Sequence, residues 1–490
     1  MLGKVYSLIP RGLKPRLLRR GWLWPLGHSA LKEYLALAWV GSILIVFILA
    51  ISGSEVLFAE PATPDVLKIG SISQDEKKQA DSWTHIFDSV HGFIEAVYGP
   101  KFSGDKLTQK NDYNLLEQRL QLKVAYRPQK PAWLASWNPE FFYKGDLLSD
   151  KYKETLRYQI REANGLVSPL SWMDVKLGRQ ILTWGTGDYL FINDVFPKDY
   201  ESFFIGRDDE YLKAPSDAGK FSIYNHLVSM DVVVIPFFTS DVSINGDRLS
   251  FYDNFLGRIA GKESNRIFTE PAVQFENTEI ATRLYRNFGE YETAIYAFKG
   301  FFNQPVGIKN ESTKEVFYPK LAVFGASIRG PAPSVGGIVS SEVGYSDSLQ
   351  DRSGKNRLIE NSAMKYLLGY ERDFQKDLRA GIQYFLEQML NFDEFKANSQ
   401  SGDISRDEFR QLLTFRITKS FWLQTLEASL FTFYSPTDSD ACIRPRLAWQ
   451  ANDRWRFIVG ANIFFGKHDW TQFGQLEGND NFYIRIRYGF

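Results

Sequence analysis

Residues 481–490, NFYIRIRYGF, decide how this chain is read. Phe482, Ile484, Ile486, Tyr488 and Phe490 share one face of an extended segment, and Tyr483, Arg485 and Arg487 share the other. Strand side chains alternate with a period of two, so one face calls for an apolar medium and the other for water. The same pattern runs back through the chain. Trp455, Phe457, Val459, Ala461, Ile463 and Phe465 oppose Arg456, Gly460 and Asn462. Leu378, Ala380, Ile382, Tyr384 and Leu386 oppose Arg379, Gly381, Gln383 and Glu387.

Followed from Val90 onward, the alternation gives eighteen segments: 90–98, 114–127, 139–149, 156–167, 172–184, 218–226, 229–238, 277–287, 290–301, 318–329, 335–346, 362–373, 376–388, 407–418, 421–434, 440–450, 453–466 and 481–490. None is long or apolar enough to cross a membrane as a helix, and most read as amphipathic strands. A soluble β-sandwich would alternate in the same way, but the connections separate the two readings. From residue 165 they run short then long: 168–171 then 185–217, 227–228 then 239–276, 288–289 then 302–317. Only 435–439 breaks this rule later in the chain, and 128–138 is long for its side. Tight turns at one rim and long loops at the other are the plan of an outer-membrane barrel. The fold class is therefore all-β: a transmembrane antiparallel up-and-down barrel of about eighteen strands over 90–490, sixteen being the alternative count. In lipid only a closed barrel satisfies every strand's backbone.

The totals agree with this. Lys plus Arg and Asp plus Glu are both 58, so the basic excess of a nucleic-acid binder is absent. Aromatic residues make up 15% of the chain, spread in alternation along the strands. A lone Cys442 excludes an intrachain disulfide, a Cys-rich zinc site and a c-type haem attachment, and the 5 histidines lack a metal-ligand spacing. No catalytic residue, metal or cofactor is assigned. Residues 1–54 read as a signal peptide with a long basic leader and an apolar stretch from Tyr34 to Ile51; cleavage at Ala59 and a retained inner-membrane anchor are the alternatives. Residues 55–89 read as a periplasmic lead-in.

The stretch Gly178 to Asp217 departs from the pattern. Its insert, 185–217, carries Asp188, Asp194, Asp199, Asp208, Asp209 and Glu210 among Phe191, Phe196, Phe203 and Phe204. A mobile loop gains little from so many rings unless they pack. On the polar faces of the last seven strands, nine basic groups (Lys365, Arg379, Arg410, Arg416, Arg444, Arg446, Arg456, Arg485, Arg487) face three acids (Glu371, Glu387, Glu427). Arginine stays charged in any protein environment, so that wall is wet or matched by acids. A solvated external loop and a calcium site at Asp208, Asp209, Glu210 and Asp217 are the alternatives for the insert. Arg179 falls on the apolar side with Val175, Leu177 and Ile181, which points to a bulge or a strand end there.

The terminal strand, with Tyr488 and Phe490, resembles the carboxyl-terminal signature of Gram-negative outer-membrane proteins. The resemblance implies insertion by the barrel assembly machinery. The insert, third of the outward loops by strand count, resembles in position and charge the third loop of general porins, which folds inward against arginines to make a constriction; the porin loop's own motif is missing. GRQILTWG, then the acidic insert, then KAPSDAGKFSIY resembles poorly characterised barrels distantly like alginate-export channels. The expected function is an outer-membrane channel for polar or anionic solutes. The acidic loop would be its constriction and Arg379, Arg410, Arg416, Arg444, Arg446, Arg456, Arg485 and Arg487 its basic wall. Its partners would be outer-membrane lipid, the assembly machinery and a small polar or anionic solute. The alternatives are a sleeve for an export or electron-transfer complex and, further off, a lipid hydrolase using His226 or His468.

Overall fold

The structure is a computed structural model that describes residues 90–102, 112–128, 132–374 and 377–490. The signal-peptide and lead-in readings of 1–89 lie outside the described residues. Eighteen antiparallel strands form one sheet. They are β1 Val90–Pro100, β2 Tyr113–Tyr126, β3 Glu140–Asp150, β4 Thr155–Leu170, β5 Met173–Gln180 and β6 Ser216–Ile223. β7 Ser229–Ile235, β8 Glu279–Phe288, β9 Tyr291–Phe301, β10 Lys320–Pro331, β11 Ile338–Ser348 and β12 Ala363–Phe374 follow. The last third is β13 Leu378–Met389, β14 Phe409–Phe421, β15 Leu426–Ser435, β16 Asp440–Gln450, β17 Trp455–Gly466 and β18 Asn481–Gly489. Each strand pairs with its sequence neighbours, and β1 pairs with β18 from Phe93↔Gly489 to Tyr98↔Ile484. The sheet is a closed barrel with no free edge.

All eighteen alternating segments are strands, because a period-two pattern has one orientation that puts every apolar face outward. Tyr366, Leu368, Ile382, Phe415, Ile417, Leu447, Val459, Ile484 and Ile486 are exposed on the outside. In water each would forgo a good part of the about 1.5–3 kcal/mol that full transfer of such a side chain to an apolar medium gives, which is the argument that lipid surrounds them. Near the short turns the outer face carries rings in contact, with Trp449–Phe457 centroids 5.5 Å apart and Trp455–Tyr488 5.0 Å apart. This is the aromatic girdle expected at a membrane interface.

The carboxyl end closes the barrel. The Phe490 N–H donates to the Gly92 carbonyl at 3.0 Å, and the Gly92 N–H donates back at 2.9 Å. A Cβ at Gly92 would stand 2.2 Å from the Gln121 carbonyl oxygen and 2.9 Å from the Phe490 ring, so this position must be glycine.

Boundaries differ from the sequence reading at two informative places. β5 stops at Gln180, so the acidic insert runs over 181–215. β14 runs on to Phe421, and its turn is 422–425, with Trp422, Leu423 and Gln424 at φ 49, 53 and 66. Arg179 is the next-to-last residue of β5, the strand-end alternative: its own ladder partners Ala163 and Asp217 are in register, and the nearest register shift is in the neighbouring β3–β4 pair, where Lys144 and Gly145 face Glu162 and Ile160. Its guanidinium is neutralised by Asp217 at 3.0 Å, on the face that also exposes Leu177.

Candidate functional site

The 181–215 segment folds from its own sequence. The Asp199 carboxylate accepts from the Ser202 N–H at 2.7 Å and caps α1, Tyr200–Ile205. Gly206, at φ 88, ends the helix in a left-handed conformation. The carboxylate of Asp208 then caps a single 3₁₀ turn, Asp209–Leu212. The carbonyls left open at the helix end are met by barrel side chains, as buried helix ends require. The Phe204 carbonyl accepts from Asn462 at 3.0 Å and Asn481 at 3.1 Å, and the Gly206 carbonyl from Arg485 at 2.8 Å.

Rings fill the space between this segment and the inner wall. Leu190, Ile192, Phe203, Phe204 and Ile205 pack with Phe431 and Phe433 of β15, Cys442 of β16 and Phe464 of β17. On the opposite side Leu182, Trp184 and Phe196 pack with Val233, Tyr296, Phe298 and Val323 of β7, β9 and β10. Wall glycines make room: a Cβ at Gly325 would meet Asn193 Oδ1 at 1.9 Å, and one at Gly344 would meet Ile192 at 2.5 Å.

The acids divide by role. Asp208 lies 3.0 Å from Arg485 and 3.2 Å from Arg487 of β18. Asp209 pairs with Arg444 of β16 at 3.0 Å and accepts from the Tyr189 hydroxyl at 2.7 Å. Glu210 pairs with Lys144 of β3 at 3.1 Å, and Asp188 with Arg416 of β14 at 3.1 Å. Asp194 and Asp199 stay within the segment: Asp194 holds Lys198 at 3.0 Å and Thr183 at 2.9 Å, while Asp199 is the helix cap. Held by five different basic residues, Asp208, Asp209, Glu210 and Asp217 do not converge on a calcium ion, and no acid or histidine group among the described residues is arranged for a metal.

Burial works against charge on Asp208, Asp209 and Glu210, but the facing Arg485 with Arg487, Arg444 and Lys144 outweigh it and hold all three carboxyls below their usual range. Asp188 is the reverse case, since burial pushes its carboxyl up and Arg416 only partly offsets this.

Of the other wall arginines, Arg379 pairs with Asp373 at 2.6 Å, Arg410 with Asp438 at 2.7 Å, and Arg446 with Glu427 at 2.9 Å. Arg456 makes no hydrogen bond or ion pair among the described residues, and it stands directly across the ladder from Arg487. A cavity of about 580 Å³ lies between the insert and the short-turn rim, lined by Tyr189, Arg379, Arg416, Arg444, Arg446 and Glu427 among others.

Several residues that hold the site were not evident from the alternation. Glu342 of β11 is 2% exposed and, with no basic partner among the described residues, accepts from Thr186 N–H at 2.7 Å, its hydroxyl at 3.0 Å, and Asn193 N–H and Nδ2 at 2.9 Å each. Arg207 donates from Nε to both Glu117 oxygens at 3.1 and 3.0 Å. Arg119 and Arg161 stack on Tyr211, their guanidinium carbons 3.9 and 4.9 Å from the ring centroid. The signal in the sequence was rings on inner faces where polar groups are the rule: Phe431 and Phe433 of β15, Phe464 of β17, and Tyr296 and Phe298 of β9. The two histidines weighed for hydrolysis are far from any such arrangement: His226 is in the 224–228 turn, and His468 stacks on Trp470 at 4.5 Å in the 467–480 loop at the other rim.

No protein-family model and no curated protein sequence matches the chain. Solved structures do. The crystal structure of Acinetobacter baumannii OccAB3 aligns at TM-score 0.50 and 8% identity over 82% of this chain and 98% of that one. Acinetobacter baumannii OccAB4 aligns at 0.48 and 8% over 82% and 97%, and Pseudomonas aeruginosa OccK11 (OpdR) at 0.46 and 10% over 82% and 96%. At such identities the likeness to OccAB3 speaks to the fold, that of a porin-like barrel, and the function is argued from the residues.

Proposed function

We propose that this chain is an outer-membrane channel for small polar or anionic solutes, with the 181–215 loop as its constriction. The short turns then face the periplasm and the long loops the outside. One observation carries the reading: Asp188, Asp208, Asp209 and Glu210 meet arginines and a lysine from β14, β18, β16 and β3, which lie along one arc of the inner wall. Paired fixed charges of both signs lining a narrow, partly dehydrated passage sort solutes by charge and dipole. Arg456, inward-facing and without an acid partner, tilts the balance toward anions. The Arg379, Arg416, Arg444 and Arg446 cavity is a periplasmic vestibule below the loop. The sleeve alternative loses support because the barrel's own loop packs against strands on both sides of the lumen. Planar-bilayer recording from refolded protein tests the proposal. Discrete conductance steps with a measurable ion preference are expected, and folded protein that gives no steps would end it.

A further inference from the structure

We infer that Arg248, in the long 236–278 loop, fixes the 181–215 loop at its station in the lumen and so sets the conductance and ion preference of the pore. This rests on the channel reading above and adds a positioning residue from a different loop.

Arg248 is 0% exposed. A guanidinium is almost never fully buried unless it is paired. Its Nη2 bonds the Asp150 carboxylate at the end of β3, and its Nη1 donates to the Asn114 carbonyl of β2 at 2.7 Å. Its Nε lies 3.2 Å from the Glu201 carboxylate in the first turn of α1, and Nη2 lies 3.5 Å from Glu117 of β2. The Tyr152 ring covers the guanidinium face, 4.7 Å away. One side chain thus joins two wall strands to the helix of the constriction loop.

The two loops are also joined to each other by their backbones. Val242 N–H donates to the Lys198 carbonyl at 2.8 Å, and Tyr200 N–H donates to the Val242 carbonyl at 3.0 Å. Those bonds make the loops one body but do not tie that body to β2 and β3. Arg248 does so from the 236–278 side, beside the ties the 181–215 segment makes itself: Arg207 on Glu117, Glu210 on Lys144, and Tyr211 against Arg119 and Gln121. Without it, Glu117 keeps Arg207 and, at 3.6 Å, Arg119, but Asp150 keeps only Arg157 at 3.4 Å and Glu201 only Lys153 at 3.6 Å among the described residues. Arg157 and Lys153 are the more exposed partners, at 37% and 28% of their side chains. Carboxylates left short of counter-charge repel and draw water between helix and wall.

The test uses the full chain in planar bilayers, with trypsin cleavage inside 198–213 as a second readout. Arg248→Met is expected to raise conductance, shift preference toward cations and expose the loop to trypsin, and Arg248→Lys is expected to restore much of the wild-type behaviour. Wild-type conductance and trypsin resistance in Arg248→Met would overturn the inference. Trypsin cleavage with unchanged conductance would keep the positioning role and overturn the channel reading instead. If Arg248→Met fails to fold, the triple variant with Asp150→Asn and Glu201→Gln removes the charge imbalance along with the tie. A released loop in that variant supports positioning, and wild-type conductance in it shows that Arg248 only balances charge and overturns it.

Discussion

Removing the Glu342 carboxylate should free one end of the constriction loop while leaving the barrel intact. The group accepts four hydrogen bonds from Thr186 and Asn193 and sits buried on β11 with no basic partner among the described residues. A hydrogen bond to a charged group contributes about 1.5–3 kcal/mol. Taking the low end for four bonds, and letting water recover about half once the segment lifts, Glu342→Ala costs roughly 3 kcal/mol of docking. That is about a hundredfold change in the ratio of docked to lifted loop. Hydrogen exchange in detergent or lipid reads it directly: the amides of Thr186 and Asn193 should exchange about a hundredfold faster, while ladder amides of β10 and β11 stay protected. Glu342→Gln, which keeps the shape and one good acceptor, should fall in between. If the Thr186 and Asn193 amides keep wild-type protection in the alanine variant, the segment is held by something else and the reasoning is wrong.

Other expectations follow from the same contacts. Asp241, which accepts from the Lys198 N–H at 2.8 Å, is pushed up to about 6 by burial. Its folded value lies above the unfolded one of about 3.9, so the folded state holds the extra proton and the joint between the two loops weakens as pH rises through the interval between the two values. Exchange at 198–201 followed against pH should show this slope, and Asp241→Asn should remove it. Asp208, Asp209 and Glu210 act in the opposite sense: their depressed values give docking that is complete above about pH 4.3 and lost as pH falls through the folded values, seen as a rise in anion preference in strong acid. Gly92→Ala should hinder barrel closure against Phe490, giving less heat-modifiable, folded protein. Arg456→Gln should lower anion preference while changing stability by no more than about 0.5 kcal/mol, since no partner is lost.

The barrel was legible because its physics is local. Each outward strand face must be apolar at every second residue, and Tyr366, Leu368 and Tyr370 show this without knowledge of their neighbours. The place of the insert was legible too, since loop order follows from strand count. What it touches was not, because those contacts join residues hundreds of positions apart. Asp194 and Asp199 look like Asp208 and Asp209 in sequence, yet they serve Lys198 and the helix cap while the latter two reach Arg485 and Arg444. Arg248 and Glu342 were equally hidden: a lone charge in a loop or strand carries no periodic signal, and its value comes from burial among partners that only the fold assembles. Arg179 read as a bulge or a strand end, and the strand end is what is found; its neutralising Asp217 was hidden because it lies across the ladder on another strand.

The central claim is that the acids of 181–215, ion-paired with the lumen wall, line the path of the solute. Reversal potential in a salt gradient, measured for wild type and for Asp208→Asn/Asp209→Asn/Glu210→Gln, tests this most directly. The account predicts a clear shift toward anions in the triple variant, as Arg444 and Lys144 lose their acids and Arg485 and Arg487 are left to share Glu95 alone. An unchanged reversal potential from well-folded channels would place those acids off the path and contradict it.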